Sequence, residues 1–134
     1  MRWLFVLVLL AITAGCRSGL RDAMDSYTDA QYPTAAAQFR AAESAARKLS
    51  AREFASYALF RGLTHLALGD ASAAALWVGY AKQSADRDPY VFNDGDRGAL
   101  LAAWRSMGHM PGEPAFTAGP PSTPSVDSSP AASP

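Results

Sequence analysis

Hydrophobic residues recur at helical spacing along most of this chain. Between positions 54 and 85 they form two runs, and Gly69 and Asp70 interrupt the pattern between them. Bulky residues stand beside small ones that two antiparallel helices in close contact would need: Phe60, Leu66, Trp77 and Val78 are bulky, and Gly62, Ala74 and Ala81 are small. The pattern predicts a helical hairpin, with Asp70 as the N-cap of its second helix.

Two more helices are predicted before this hairpin. The first runs from residue 18 or 19 to residue 30, and its apolar residues at helical spacing are Leu20, Ala23, Met24 and Tyr27. The second runs from residue 34 to about residue 49, and Pro33 suits its opening turn because the missing amide hydrogen costs nothing there. Ser50 and Glu53 have the spacing of a capping box, so the third helix is predicted to begin near Ala51.

A loop and a closing helix follow the hairpin. Pro89 disfavours helical geometry in the residue before it, so the fourth helix should end by residue 88. The apolar loop residues are expected to fold back onto the helices: Tyr90, Val91 and Phe92. Asn93 or Asp94 then caps a fifth helix that ends at Gly108. Its apolar face, which should cover the end of the helical stack, carries Leu100, Trp104 and Met107.

Composition divides the chain into three parts. Seven of the nine prolines lie in the last 24 residues, so residues 109–134 are predicted to be a disordered Pro/Ser/Ala-rich tail, either a solvated terminus or a spacer. Residues 16–108 are predicted to form one all-α domain of about five helices. Residues 1–15 have the layout of an export signal, with a charged start at Arg2 and an apolar run at 3–12. That run reaches only about 15 Å against the ~30 Å of a bilayer core, so the leader is expected to be cleaved.

The one cysteine lies directly after the small residues that end this leader. Ala14, Gly15 and Cys16 resemble the bacterial lipoprotein signal, in which the cysteine is lipidated and becomes the new first residue. Thr13 stands where that family usually has Leu. The resemblance implies acylation of Cys16, palmitate included, and a membrane anchor in the cell envelope. Arg17 in place of a retention signal favours the periplasmic face of the outer membrane, if the source has two membranes. The alternatives are a plain secretory signal with a free thiol, or an uncleaved anchor.

The hairpins resemble the tetratricopeptide repeat. With Gly69 as the turn glycine, Gly62, Ala74 and Ala81 fall on the family's small-residue positions and Val78 on its bulky one. Ala71 repeats Tyr32 with a displacement of 39 residues. His65, Ala58 and Arg61 depart from the family's usual residues. The first helix of each hairpin lines the concave side in this family, which implies a partner-binding strip: Leu20, Met24, Tyr27, Ser56, Leu59, Leu63 and Leu66. An alternative is that the fifth helix fills this groove through Leu100 and Trp104.

The remaining residues indicate little chemistry. Basic and acidic residues balance at 12 each, which gives no field for nucleic acid, and the densest basic group, Arg47, Lys48 and Arg52, is typical of a solvated helix end. No nucleophile, phosphate-loop, zinc or dinucleotide motif occurs. The acidic residues at 86–96 do not have the spacing of a calcium loop. The sequence predicts no cofactor, no metal and no catalysis.

The expected function is therefore that of a lipid-anchored envelope scaffold or assembly factor that binds a protein partner through a tetratricopeptide-like helical surface. Two alternatives remain open, namely a small envelope enzyme or accessory protein acting on cell-wall material, and a purely structural lipoprotein. The identity of the partner and the oligomeric state are not specified by these patterns.

Overall fold

A computed structural model describes residues 19–116, and this part of the chain is helical without any β-strand. The predicted leader, Cys16 and residues 117–134 of the predicted tail lie outside the described residues. Residues 19–28 form α1. The helices that follow are α2 (Tyr32–Ala41), α3 (Glu43–Ala46), α4 (Ala51–Ala67), α5 (Ala71–Arg87) and α6 (Asp94–Ser106). The all-α prediction is confirmed for this part of the chain.

The three longest helices begin at the caps that the sequence predicts. The Ser50 side chain accepts a hydrogen bond from the Glu53 amide at 3.2 Å, and the Glu53 carboxylate accepts one from the Ser50 amide at 3.0 Å. Asp70 and Asn93 each accept a bond from the amide three residues later, at 3.2 and 2.8 Å. These bonds satisfy amides that have no partner within the helix, which fixes where α4, α5 and α6 start.

The predicted second helix is divided in two. It begins at Tyr32 with proline in its first turn, but the helical geometry is interrupted at Ala42 between α2 and α3. The interruption turns the chain so that Ala46 is buried and the Glu43 carboxylate lies 3.1 Å from the Arg61 guanidinium of α4. The alanine-rich sequence contains no helix breaker at this position, so no local signal predicts the break. The break instead coincides with these tertiary contacts.

Helices α4 and α5 pack closely and antiparallel across a short turn. Gly69 in this turn has φ +75°, a conformation that glycine adopts without steric cost. A methyl group on Gly62 would lie 2.7 Å from Val78 Cγ2 and 2.8 Å from the Val78 backbone nitrogen. The other two small residues of the predicted contact, Ala74 and Ala81, are fully buried. The close approach predicted at these positions is present.

Two hydrophobic clusters make up the core. One joins α1, α2, α3 and α4, and its buried members are Leu20, Ala23, Ala35, Phe39, Ala46 and Tyr57. The other joins α4, α5, α6 and the loop before α6, and its larger buried members are Leu59, Val78, Val91, Phe92, Leu100 and Trp104. The aromatic rings of Phe54, Phe60 and Trp77 pack against both clusters.

The loop between α5 and α6 folds back only in part. Val91 and Phe92 are buried, as the sequence predicts, but the side chain of Tyr90 is 81% exposed. The prediction for Tyr90 is therefore wrong. The Tyr90 backbone is bound by the Asp88 carboxylate and the Arg52 guanidinium, and Val91 and Phe92 are the loop residues that join the core.

Residues 109–116, which the sequence places in the disordered tail, pack against α5 and α6; we call them the C-terminal segment. The His109 ring stacks on the Trp104 indole at 3.9 Å between centroids. The Lys82 ammonium donates a hydrogen bond to the Glu113 carbonyl at 2.9 Å, and the Phe116 ring lies 5.9 Å from the Tyr80 ring. The packed part of the chain thus continues beyond residue 108.

Candidate functional site

A groove between α1 and α4 is the part of the predicted partner-binding strip that is open in the structure. Leu20 and Met24 from α1 and Ser56 from α4 line it, and its volume is about 580 Å³. Charged side chains of both signs surround these residues: Arg21, Asp25, Arg52 and Glu53. We call this the α1–α4 groove. It combines a small apolar centre with a polar border, as do many surfaces that receive a partner helix.

The other four residues of the predicted strip are engaged within the fold. Tyr27 lies edge-on to the Phe60 ring at 5.5 Å and beside Tyr32 at 5.6 Å. Burial raises the pKa of the Tyr27 hydroxyl, with a further contribution from Tyr32. Leu59 has no exposed surface and lies in the same cluster as Leu100 and Trp104 of α6. Leu63 and Leu66 are half-buried against that cluster.

The sequence analysis left two alternatives for the predicted concave side, a partner-binding strip and a groove filled by the fifth helix. Each alternative applies to a different part of that side. Helix α6 packs over Leu59, while the part formed by Leu20, Met24 and Ser56 faces the α1–α4 groove. The resemblance to the tetratricopeptide repeat implied one strip that contained all seven residues. The position of α6 depends on contacts far apart in sequence, which spacing along α4 does not encode.

A buried polar cluster that the sequence did not predict connects α2, α3, α4 and α5. The Arg61 guanidinium donates hydrogen bonds to the Tyr57 hydroxyl at 2.5 Å and to the Glu43 carboxylate at 3.1 Å, and it lies 4.1 Å from the Trp77 ring centroid. The Tyr57 hydroxyl in turn donates to the Phe39 carbonyl at 3.0 Å. Burial raises the pKa of Tyr57, against the lowering effect of the nearby Arg61 charge.

This cluster has the properties of a structural network. The Arg61 side chain is only 8% exposed, and its charge is compensated by a carboxylate and an aromatic face. The signal in the sequence was that Arg61 departs from the apolar residue usual in the family that the hairpin resembles. Tyr57, one turn before Arg61 in α4, supplies the hydroxyl that accepts the hydrogen bond from Arg61.

The two histidines both have neighbours. His65 is buried, with Nδ1 3.5 Å from an Asp70 carboxylate oxygen. Burial lowers the pKa of His65 more than the Asp70 charge raises it, and the charges of Arg61 and Arg40 lower it further. His109 Nδ1 lies 3.3 Å from Glu113, whose pKa is lowered by hydrogen bonds from the Met110 amide and from His109.

The acidic residues near the α5–α6 loop have structural partners. Asp86 accepts hydrogen bonds from the Lys82 ammonium and the Ala115 amide, and Asp88 accepts one from the Tyr90 amide. Within residues 19–116, no group of three or more His, Cys, Asp or Glu side chains is arranged to hold a metal ion. The same residues contain no helix with the length and apolar character of a transmembrane segment.

Comparison of the chain with protein-family models, with characterised proteins and with solved structures found no match. The class that the described residues define is an all-helical protein with a helix-lined surface groove. The functional argument therefore rests on the residues and geometry of the chain itself.

Proposed function

We propose that this protein is a lipid-anchored scaffold of the bacterial cell envelope that holds a protein partner in the α1–α4 groove without catalysing a reaction. Acylated Cys16 is the proposed anchor, and the periplasmic face of the outer membrane is the proposed location. The helical part is proposed to be two tetratricopeptide-like hairpins closed by α6. The tight contact of Gly62 with Val78 and the burial of Ala74 and Ala81 support this arrangement.

The observation that carries the proposal is the α1–α4 groove itself. Met24 and Ser56 are half-buried and face a space of about 580 Å³ that no other described element occupies. An amphipathic helix of the partner could place one apolar side chain over Leu20 and Met24 while its polar residues meet the charged border. Glu53 is already engaged at the α4 cap and Arg52 donates to the Tyr90 carbonyl, so Arg21 and Asp25 are the residues through which charge would select the partner.

Photocrosslinking tests the groove directly. A photoreactive residue at position 24 should crosslink to one protein in intact cells, whereas the same residue at Ala75, on the exposed face of α5, should not. Ser56→Trp fills the groove and should abolish the crosslink from position 24, while Ala75→Trp should leave it unchanged. Equal crosslinking from both positions, or a crosslink insensitive to Ser56→Trp, would refute partner binding in this groove.

The anchor requires a separate test. Cells given a clickable palmitate analogue should label the wild-type protein but not Cys16→Ser, and the mass of the mature protein should correspond to a chain that begins at an acylated Cys16. A secreted protein with an unmodified thiol, or one that retains residues 1–15, would refute the anchor and leave the groove experiment unaffected.

A further inference from the structure

A second concave surface, which shares Arg52 with the α1–α4 groove, carries an excess of positive charge. Arg47, Arg52 and Arg87, all exposed, line one cleft of about 740 Å³. Less exposed apolar side chains form its floor: Ala46, Leu49, Phe54 and Val91. We call this the basic cleft. Cations therefore lie at its border and apolar surface lies beneath them.

The charges of the basic cleft are not neutralised within the fold. Among residues 19–116, no ion pair joins any of its three arginines to a carboxylate. The one acidic residue in the lining is Asp88, which accepts a hydrogen bond from the Tyr90 amide. Lys48 is exposed next to Arg47 and adds a further positive charge. The cleft thus has a net positive charge that an anionic ligand would complement.

An exposed aromatic residue accompanies these cations. The Arg52 guanidinium donates a hydrogen bond to the Tyr90 carbonyl at 3.3 Å, which places Tyr90 at the border of the basic cleft. The Tyr90 side chain is 81% exposed. Tyrosine and arginine side chains combine an apolar body with a polar end, and such residues are favoured where protein meets the headgroup region of a bilayer.

The chain also enters the fold next to this surface. Arg52 borders both the basic cleft and the α1–α4 groove, where it lies with Leu20 and Arg21 of the first described turn. Cys16 precedes Gly19 by three residues, a span of at most about 10 Å. If Cys16 is anchored, a step that rests on the proposed function, Gly19 at the start of α1 is held within about one Debye length of the headgroups at ~0.1 M salt.

We propose that the basic cleft docks anionic phospholipid at a membrane surface, with the phosphate between Arg47, Arg52 and Arg87 and an acyl segment against the floor. Arginine binds phosphate oxygens through paired N–H donors, which suits this role. An acidic protein segment would require the cations of the basic cleft but not its apolar floor. The apolar floor below the cations and the exposed Tyr90 beside them match the layered polarity of a lipid instead.

Vesicle binding of the full chain tests this proposal. Co-sedimentation is measured with vesicles of phosphatidylcholine alone and with vesicles of equal parts phosphatidylcholine and phosphatidylglycerol. The test variant is Arg47→Gln/Arg87→Gln. The matched control is Arg40→Gln/Arg105→Gln, which removes the same charge from two other exposed arginines, both in the last turns of helices as Arg87 is. The leader and any acyl chain are common to all three proteins.

The expected result is a preference for the phosphatidylglycerol vesicles that weakens as salt is raised. The test variant should bind them about 30-fold more weakly than wild type, or about fivefold for each charge removed. The control should stay within about twofold of wild type. Binding to phosphatidylcholine vesicles should be the same for all three proteins, whether or not Cys16 is acylated, so failure here is distinguishable from failure of the anchor.

Three results would overturn the proposal. The first is equal binding of wild type to both kinds of vesicle, and the second is an equal loss in the control and test variants. The third is binding of an oligoglutamate peptide that the test variant loses while its binding to phosphatidylglycerol vesicles stays at the wild-type level. That last result would identify the basic cleft as a site for an acidic protein segment.

Discussion

Gly62→Ala should destabilise the fold, although alanine is the better helix former. Replacing glycine by alanine inside a helix ordinarily stabilises it by about 1 kcal/mol. At this position the new methyl group would lie 2.7 Å from Val78 Cγ2 and 2.8 Å from the Val78 backbone nitrogen. Carbon atoms in favourable contact are ~3.5 to 4.0 Å apart, so the new methyl group and Val78 would have to move apart by about 1 Å.

The backbone contact decides the sign of the effect. The Val78 side chain could rotate, but its backbone nitrogen can move only if α4 and α5 separate. Overpacking of a close-packed core costs about 1 to 3 kcal/mol, and a contact with backbone belongs at the upper end of that range. After the gain in helix propensity is subtracted, Gly62→Ala should lower the free energy of unfolding by about 2 kcal/mol.

Urea denaturation followed by circular dichroism measures this change. Gly98→Ala is the matched control, because Gly98 lies within α6 and a methyl group there would meet no atom within 4 Å. The control should gain up to about 1 kcal/mol. In a Val78→Ala background Gly62→Ala should cost less than in wild type, but it should still cost something because the backbone contact remains. A Gly62→Ala variant as stable as wild type would show that the helices are not in such close contact.

Three further predictions concern the polar cluster, the buried histidine and the C-terminal segment. Tyr57→Phe removes the buried hydroxyl that accepts a hydrogen bond from Arg61 and donates one to the Phe39 carbonyl, and it should cost about 1 to 3 kcal/mol in urea denaturation; an unchanged urea midpoint would contradict this network. Because the folded state lowers the pKa of His65 from 6.5, the unfolded chain binds the proton first as pH falls. The stability from this group is therefore fully present above about pH 6.5 and is lost as pH drops through the lowered folded-state pKa. His65→Gln should flatten that part of the dependence of the urea midpoint on pH, and an identical slope in the variant would refute the assignment. Phe116→Ala removes a ring that packs edge-on against α5 and should cost about 1 kcal/mol, measured as a lower melting temperature; a melting temperature equal to that of wild type would mean that the segment contributes nothing to stability.

Local signals in the sequence were sufficient for most helix starts. The capping box at Ser50, the N-caps at Asp70 and Asn93 and the glycine in the α4–α5 turn act within a few residues, and the structure contains each of them. The close contact at Gly62 was also predicted, because only small residues permit such an approach between helices. These features depend on neighbours that spacing along the chain identifies.

Features that depend on distant residues were not predictable in the same way. The interruption at Ala42 lies in an alanine-rich run, and the contacts that accompany it come from α4, 18 residues after Glu43. The C-terminal segment has the composition of a tail, yet the Trp104 indole donates a hydrogen bond to the Met110 carbonyl and Lys82 binds the Glu113 carbonyl. Backbone carbonyls accept these bonds, so residue types alone give no sign of them.

The same difference between local and long-range signals applies to the candidate sites. The tetratricopeptide resemblance implied that Leu20, Met24 and Ser56 share one surface, and the structure brings them together at the α1–α4 groove. The basic cleft was overlooked because Arg87 lies 35 residues after Arg52 and joins it only through the α4–α5 pairing. In the sequence, Arg47, Lys48 and Arg52 resemble an ordinary solvated helix end.

The rings of Phe54, Phe60 and Trp77, which belong to both hydrophobic clusters, make the helical body one cooperative unit. Neither end can open without exposing aromatic surface that the other end also uses. Hydrogen exchange should accordingly give α1 and α6 a common opening free energy, rather than one value for each end of the molecule. A force applied to either end, including one transmitted by a bound partner, would then act on the whole helical body rather than on one helix.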